Sequence, residues 1–503
     1  LVNLSDVEVI KPDGVFDRHH EWDDLVRFVG DRAPGVRIGV VRGRRRHGKS
    51  FLLEHLCDAV NGVYTVALRQ SRAMALARFS DFLSQSLGYR LGTFQDWVTA
   101  LDTAVDALSH RPGTHPPLLV LDEFPYLIDH SPELPSAIQA LYDRRGPRKG
   151  HPPFKLILCG SAISIMSTLL AGDQALRGRA VLDLRIGPFR FRDAADYWNA
   201  PPQTAFLIDA VLGGAPGYRD IVGDAPAPGE EGFFRWLEHS ILNPSHILFT
   251  EPDYLLAEDP RIRDRAIYNA IWWAVAMGAT SPTQIGGLVG MDAKALTYHL
   301  NVMRDGGFIR SEQDLLRQRR PTITIADPAV RFHNLIVQPN ISALELRHAR
   351  DVWDRSRKTF SDKILGPHFE EAARAWVRWY GAETGLDDIG QVGTTEVACR
   401  EHRGHEVDVV AISRTAQARS KGARITLLGE AKCTGKARTM ADLRRLEHIR
   451  DLLTGLGWDA EQARPALFSK TGFPSDLKAA AADGRVHLVD LETMYAPHRD
   501  DLA

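Results

Sequence analysis

Cysteine is scarce in this 503-residue chain: Cys57, Cys159, Cys399 and Cys433 are the four, and none belongs to a CxxC pair. That spacing argues against a zinc ribbon or a disulfide framework and suits a reducing cytosol. Long apolar runs are missing as well. No stretch approaches the roughly 20 residues that span a bilayer, and the first residues lack a signal-peptide pattern, so a cytoplasmic protein with no membrane partner is expected. Charge of one sign is also absent, with 62 Lys+Arg against 64 Asp+Glu and a net charge of −2. This excludes a uniformly basic nucleic-acid coat but permits local basic clusters. What is present is ordinary: 44% hydrophobic and 25% charged residues are the proportions of a globular protein that can bury real cores. The length implies roughly two to four domains.

The N-terminal part carries the clearest motif. Val36 to Val41 reads as a short buried strand, and Phe51, Leu52, Leu53 and Leu56 open an amphipathic helix. Between them lies Gly43-Arg44-Arg45-Arg46-His47-Gly48-Lys49-Ser50, a loop whose glycines let backbone N–H groups point at phosphate oxygens beside a helix N-terminus. Lys49 is placed for the β/γ-phosphates and the Ser50 hydroxyl for Mg²⁺. Further along, Leu118-Leu119-Val120-Leu121 is an apolar strand ending in Asp122-Glu123. Asp122 is expected to hold Mg²⁺ through water, and Glu123 to activate the attacking water. Val63 to Leu68 and Leu156 to Cys159 read as two more strands of a parallel sheet, the latter delivering Ser161 where a polar group would sense the γ-phosphate.

Three further segments resemble archaeal-type AAA+/STAND ATPases: Phe16-Asp17-Arg18-His19-His20-Glu21, Leu176-Arg177-Gly178-Arg179, and Gly213-Gly214-Ala215-Pro216-Gly217-Tyr218. The resemblance spans residues 12–240. It implies that Arg18 and His47, with Gly43 and Gly48, belong to the nucleotide site, and that Arg179 is an arginine finger or sensor. The alternative for Arg179 is a surface arginine pairing a carboxylate. Arg44-Arg45-Arg46 departs from the family's loop; these side chains contact phosphate, contact DNA or face solvent.

From Arg263 the pattern changes to short helices and a hairpin. Ile267 to Met277, Thr283 to Leu288 and Asp292 to Arg304 read as three helices, stopped by Gly306-Gly307, before strands at 308–310 and 322–325 flank a basic tip, Arg317-Gln318-Arg319-Arg320. This is a helix-turn-helix-plus-wing layout whose third helix would present Lys294, Thr297, Tyr298 and Asn301 to DNA, with Arg317, Arg319 and Arg320 on the wing. The competing role is an interdomain clamp that reads no bases.

A new unit is expected from Ser356, where Gly366 to Ala372 starts a helix bearing Glu370 and Glu371. Val397 to Arg400 and Glu406 to Ala411 read as a strand pair, and Ile425 to Lys432 as a further strand. Alternation along that strand puts Glu430 and Lys432 on one face, and Asp408 on its neighbour meets them. The carboxylates Asp408 and Glu430, completed by Glu370 or Glu371, would hold Mg²⁺ against a scissile phosphate, while Lys432 positions water and offsets developing charge. The order Glu, Asp, Glu-x-Lys resembles the restriction-endonuclease-like PD-(D/E)XK fold over residues 362–460, with Val407 where the name has Pro. The whole chain resembles archaeal-type ATPases that carry such a C-terminal domain; the alternative is a scaffold that has lost catalysis.

The expected fold is therefore α/β: a P-loop AAA+ (ASCE) ATPase core over 1–195, a helical lid over 196–258, a winged helix-turn-helix over 259–345 and a restriction-endonuclease-like α/β domain over 346–503. The expected activity is ATP hydrolysis coupled to Mg²⁺-dependent DNA cleavage, with Mn²⁺ a substitute at the nuclease site. A homo-oligomer is expected, a protein partner encoded elsewhere is open, and defence against foreign DNA is the biology suggested by analogy. A STAND-type switch or DNA-binding regulator with a non-cleaving C-terminal domain is the alternative, and RNA as substrate stays open.

Overall fold

The computed structural model describes residues 9–172, 174–319, 321–399 and 404–497. Two compact units divide the chain: one runs up to Pro188 and includes Ala215–Tyr218 and Ala257–Arg261, the other comprises Phe189–Gly214, Arg219–Leu256 and the chain from Ile262 on. The expected boundary near 345 falls inside the second unit, and the one near 258 falls within the Ala257–Arg261 segment of the first.

In the first unit, strands β1 (Val36–Arg42), β2 (Val63–Val66), β3 (Leu118–Asp122), β4 (Phe154–Gly160) and β5 (Ala180–Arg185) form one sheet in the order β2-β3-β4-β1-β5. Every pairing is parallel. Parallel strands covered on both faces read as continuous apolar runs, and β3 and β4 are buried at every position. Alternate residues of β1, β3 and β4 feed two cores. Ile38, Val40, Leu119, Leu121, Leu156 and Leu158 face the helices Arg72–Leu87, Trp97–Ser109 and Leu134–Arg145. Val41, Leu118, Val120, Ile157 and Cys159 face the helices His19–Gly30 and Lys49–Val60. The result is a helix–sheet–helix sandwich that places the C-terminal ends of β1, β3 and β4 along one edge. The strand β5 was not expected from sequence: only Leu184 is buried within it, so its apolar signal is that of a sheet edge.

In the second unit the helices Phe191–Trp198 and Pro202–Leu212 pack with the C-terminal part. Phe206 meets Phe369 edge-on at 5.8 Å, and His368 lies 2.9 Å from Asp209. Arg192 is buried, donating to Glu383 and to the Met494 carbonyl. Helices Arg265–Ala276, Pro282–Val289 and Ala293–Asp305 precede an antiparallel hairpin, β6 (Ile309–Glu312) and β7 (Thr322–Ile325). They share a core of Tyr268, Trp272, Ile285, Leu296, Leu300, Met303, Ile323 and Ile325.

Where a break was expected near Ser356, the backbone instead continues. Helix Ala349–Thr359 passes through a π-helical turn, Phe360–Leu365, into helix Gly366–Tyr380. A second π turn, His333–Val337, precedes Pro339 just as the first precedes Pro367. Proline lacks an N–H and its ring clashes with the carbonyl four residues back, so a widened turn before it relieves both problems.

The last sheet has the order β12-β11-β10-β9-β8, from β8 (Val392–Val397), β9 (His405–Ile412), β10 (Ile425–Lys432), β11 (Arg464–Ser469) and β12 (His487–Asp490). Its first three strands are antiparallel and its last three parallel. The strand expected from Val397 to Arg400 begins earlier and ends at Val397; Arg400 lies outside the described residues. Helix Gly366–Tyr380 covers one face through Phe369, Ala373 and Trp376, and Trp376 meets Phe468 edge-on at 5.9 Å. Helix Met440–Gly455 lies over a second core of Val407, Val410, Leu428, Leu443, Leu446 and Ile449.

Candidate nucleotide site and candidate metal centre

The loop after β1 is shaped by two glycines. At Gly43 a Cβ would stand 2.2 Å from the Ile186 carbonyl oxygen, so the backbone passes where no side chain fits. Gly48 adopts φ 84°, left-handed and favoured by glycine, and turns the chain into helix Lys49–Val60. Lys49 is 6% exposed and its Nζ donates to the Arg44 carbonyl at 3.0 Å across the loop. The His47 ring contacts the Ile186 carbonyl at 3.1 Å; burial, aided by the Arg44 charge, lowers its pKa to about 3, so it is neutral. Arg18 sits beneath the loop, donating to the His47 and Gly187 carbonyls and pairing with Glu21. Its role is thus to brace the loop from below.

At the adjacent strand end, Ser50 Oγ donates to Asp122 Oδ2 at 2.6 Å, and Tyr64 donates to the same oxygen. Burial opposes ionisation of Asp122, but hydrogen bonds from Cys159, Ser50, Tyr64 and the Glu123 backbone keep its carboxyl below the ordinary range. Glu123 holds a left-handed φ of 51°, a strained conformation for a residue with a side chain. Ser161 at the end of β4 donates to Glu123 at 3.3 Å. Burial and then the Asp122 charge raise the Glu123 pKa, the direction suited to a proton acceptor. The buried lysine, the serine on an ionised aspartate and the glycine-shaped turn fit a nucleotide phosphate with Mg²⁺.

The three consecutive arginines have three fates. Arg44 is buried, Arg45 reaches Glu258 at 3.6 Å, and Arg46 lies over the Tyr218 ring at 5.4 Å. The Gly217 N–H donates to the Arg46 carbonyl at 3.0 Å, so Ala215–Tyr218 clasps the loop. Glu258 was not anticipated: burial raises its pKa to about 7, against Arg45, Lys49 and Arg44. Arg179 pairs with Asp143 at 3.1 Å and donates to the Ala175 carbonyl, the surface-pair arrangement.

The C-terminal sheet brings together the acids expected of it. Asp408 on β9 accepts from the Ala431 N–H at 2.8 Å, which sets it beside Glu430 and Lys432 on β10. Glu430 is 3% exposed and meets Lys432 Nζ at 2.8 Å. Glu370 comes from helix Gly366–Tyr380. Burial and then the Asp408 charge push its pKa up to about 8. Burial likewise pushes Asp408 up to about 6, opposed by the Ala431 hydrogen bond and reinforced by Glu430 and Glu406. Acids that crowd one another in this way fit a divalent cation. Glu371 points elsewhere: burial opposes its charge, yet Arg331 and Arg310 hold it down at about 2, with Arg331 donating at 2.6 Å. Of the two glutamates, Glu370 is the one beside Asp408.

The sequence reading missed the cations around these acids. Arg445 on helix Met440–Gly455 binds Glu430 and the Glu406 carbonyl; buried Arg438 lies 4.0 Å from Glu430 and 3.4 Å from Asp442. Arg374 donates to the Asp408 carbonyl at 3.0 Å and also lines a cavity of about 590 Å³ with Arg310, Arg378 and Arg419. Apart from Arg374 and Arg378, one turn apart on helix Gly366–Tyr380, these arginines come from different parts of the chain and carry no local pattern.

Lys294, Thr297, Tyr298 and Asn301 are all exposed on helix Ala293–Asp305, with Tyr298 at 58%. The basic tip is different from expectation. Arg317 donates to the Glu396 carbonyl at 2.8 Å and Arg319 pairs with the Glu396 carboxylate. Leu315 and Leu316 are buried in the C-terminal core, and the Leu315 N–H donates to the Thr394 carbonyl at 2.9 Å. Two buried leucines thus anchor the loop on β8, and Arg317 and Arg319, expected to contact DNA from the wing, are paired with Glu396. Arg320 lies outside the described residues.

Among the described residues no helix is long and apolar enough to cross a membrane. Residues 36–195 match the family model of an AAA domain. An uncharacterized protein of Methanocaldococcus jannaschii is 23% identical over 379 residues, covering 74% of this chain and 79% of its own. A Walker-type ATPase of Pyrococcus abyssi aligns over 66% of this chain and 99% of its own, at 19% identity and a TM-score of 0.48. The ORC2 protein of Aeropyrum pernix aligns over 69% of this chain and 98% of its own, at 15% identity and a TM-score of 0.43. With its five-stranded parallel sheet and glycine-shaped loop, the N-terminal unit matches a P-loop AAA ATPase core.

Proposed function

We propose that this chain is an ATP-hydrolysing, Mg²⁺-dependent DNA endonuclease in which the nucleotide state gates assembly or cleavage. The observation that carries the reading is the convergence of Asp408, Glu430, Lys432 and Glu370 at one end of a mixed sheet, in the same polypeptide as an AAA domain. Ser50 with Asp122, and Asp408 with Glu430 and Glu370, are the residues that would hold Mg²⁺, or Mn²⁺ at the second place, and the ion supplies charge neutralisation at phosphate oxygens.

At the first place Lys49 exchanges the Arg44 carbonyl for a phosphate oxygen, a change of partner that costs little because the ammonium is already desolvated and aimed into the loop. Glu123 takes the proton of the water that attacks the γ-phosphorus as the bond to the departing diphosphate breaks. Its contact with Ser161 keeps the carboxylate in place. At the second place Lys432 orients water and balances the charge that develops on the cleaved phosphodiester. In the cavity beside Arg374 four arginines face three carboxylates, Glu312, Asp314 and Glu371, a balance that leaves room for phosphate contacts, and the exposed face of helix Ala293–Asp305 suits a groove.

The test is plasmid cleavage with Mg²⁺ or Mn²⁺, with and without ATP, for the wild type, Asp408→Ala and Lys49→Ala. Cleavage lost in Asp408→Ala supports the nuclease; its response to ATP and to Lys49→Ala reveals gating. Intact cleavage by Asp408→Ala defeats the reading.

One observation favours a second reading, a STAND-type ATP-dependent switch with a non-cleaving C-terminal domain. Glu430 is held by Lys432 and Arg445, so its lone pairs are engaged and an ion must displace one of them. A scaffold that retains the acids only to pair arginines would look the same. Under this reading Lys49→Ala alters oligomeric state while no variant cuts DNA.

A further inference from the structure

Beyond the carboxylate centre, the C-terminal sheet carries a second group of metal-ligating side chains of a different chemical kind. Cys399 follows the end of β8, His405 opens β9, and His448 projects from helix Met440–Gly455. Their ligand atoms, one sulfur and two imidazole nitrogens, all lie within 4.8 Å of one another. Cys399 Sγ is 3.8 Å from His448 Nε2. The two imidazoles meet edge-on, ring centroids 5.5 Å apart and planes at 82°, which lets two ring nitrogens converge on one point without stacking. His405 is 8% exposed, while Cys399 and His448 are half-buried.

We infer that Cys399, His405 and His448 form a zinc site. Zn–S bonds of about 2.3 Å and Zn–N bonds of about 2.0–2.1 Å in tetrahedral geometry put ligand atoms roughly 3.3–3.6 Å apart. The observed spacing closes to that with side-chain rotations that move each atom by about an ångström or less, on the scale of those bond lengths. A thiolate and two imidazoles match Zn²⁺ and mismatch Mg²⁺, which requires oxygen. Among the described residues these three supply the protein ligands, and tetrahedral zinc takes one more.

The placement gives the site a task. Asp408 lies three residues beyond His405 on β9, and Arg445, which binds Glu430, lies one helical turn before His448. An ion held by these three residues clamps the end of β8, the start of β9 and the helix to each other. The sheet end that bears the carboxylates is then fixed in place. This is why the scattered cysteines mislead: the ligands come from three elements with no CxxC spacing, so the cluster exists only in the fold.

The test uses the full chain, stripped with chelator and titrated with Zn²⁺ alone, then with Co²⁺ as a spectroscopic substitute. The expected result is one Zn²⁺ per chain bound with sulfur ligation. Co²⁺ then shows a thiolate charge-transfer band and tetrahedral d–d bands, both retained in Asp408→Ala. Cys399→Ser abolishes the charge-transfer band, and His448→Ala weakens zinc binding at least tenfold. No thiolate band in the wild-type Co²⁺ form overturns the inference without recourse to any variant, as does zinc binding unchanged by Cys399→Ser in protein whose circular dichroism matches the wild type. Because the band reports sulfur, its presence or absence is independent of whether the chain cuts DNA.

Discussion

The backbone N–H of Ala431 donates to Asp408 Oδ2 at 2.8 Å, a bond between neighbouring strands that sets one candidate metal-binding acid against the Glu430-Ala431-Lys432 triplet. It occupies a single lone pair of Asp408 and leaves Oδ1 for a cation, while it fixes the carboxylate plane.

From that bond comes the first prediction. Asp408→Asn keeps the shape and hydrogen-bonding capacity of a carboxyl whose pKa is already raised to about 6, so the thermal midpoint changes little at neutral pH. Cleavage of plasmid DNA falls by about a hundredfold or more, the scale of losing an electrostatic group at a phosphoryl centre. Equal cleavage by the two proteins refutes the assignment of Asp408.

The second prediction concerns pH. Glu370 and Asp408 have folded-state pKa values raised to about 8 and about 6. A raised value means the folded state binds the proton more tightly than the unfolded chain. The stability this contributes is full below the unfolded values and is lost as pH rises through 6 and then 8. Chelator-treated protein is therefore expected to lose thermal stability across that window, and Glu370→Gln to flatten the loss. Mg²⁺ opposes it most at the alkaline end, where both acids are ionised. A melting series in EDTA and in Mg²⁺ checks both slopes, and a flat wild-type profile would count against the crowded pair.

For the nucleotide site, Lys49→Ala and Glu123→Gln are expected to separate binding from chemistry. Lys49→Ala removes the buried ammonium aimed into the loop and abolishes measurable ATP binding. Glu123→Gln keeps binding within a few-fold but slows hydrolysis by roughly a hundredfold or more, as loss of a general base does. Fluorescent-nucleotide titration and phosphate release distinguish the two.

At the hairpin loop, Leu315→Ala removes a buried side chain from the C-terminal core, and a large-to-small change of this kind costs about 2–5 kcal/mol. Glu396→Ala releases Arg319 from an exposed pair, which costs at most about 1 kcal/mol, and leaves Arg317 on the residue 396 backbone carbonyl. If the freed arginine meets DNA, Glu396→Ala binds duplex more tightly and with a steeper salt dependence. Denaturant unfolding and salt-titrated binding read the two effects separately.

Much of the N-terminal core was legible because its signals are local. An apolar strand, a glycine loop and a helix start occupy adjacent residues from Val36 to Leu56, and their burial follows directly. The edge strand β5 was not legible, since an edge buries only one of its six residues. At the C-terminal site, alternation along β10 sufficed to align Glu430 with Lys432. It could not tell Glu370 from Glu371, because that depends on which face of helix Gly366–Tyr380 meets β9, and Arg331 with Arg310 claims Glu371.

The amino-acid sequence by itself thus determined the phosphate loop, the strand-end acids and the Glu-x-Lys triplet, all of which are encoded within a few consecutive residues where backbone periodicity dictates direction. Only the tertiary structure decided which distant groups meet them. Glu258 at Arg45, Arg438 and Arg445 around Glu430, the arginine loop on Glu396, and the gathering of Cys399, His405 and His448 each depend on separate elements packing together. Burial holds those elements in register, and side-chain chemistry has no periodicity across such gaps to announce it beforehand.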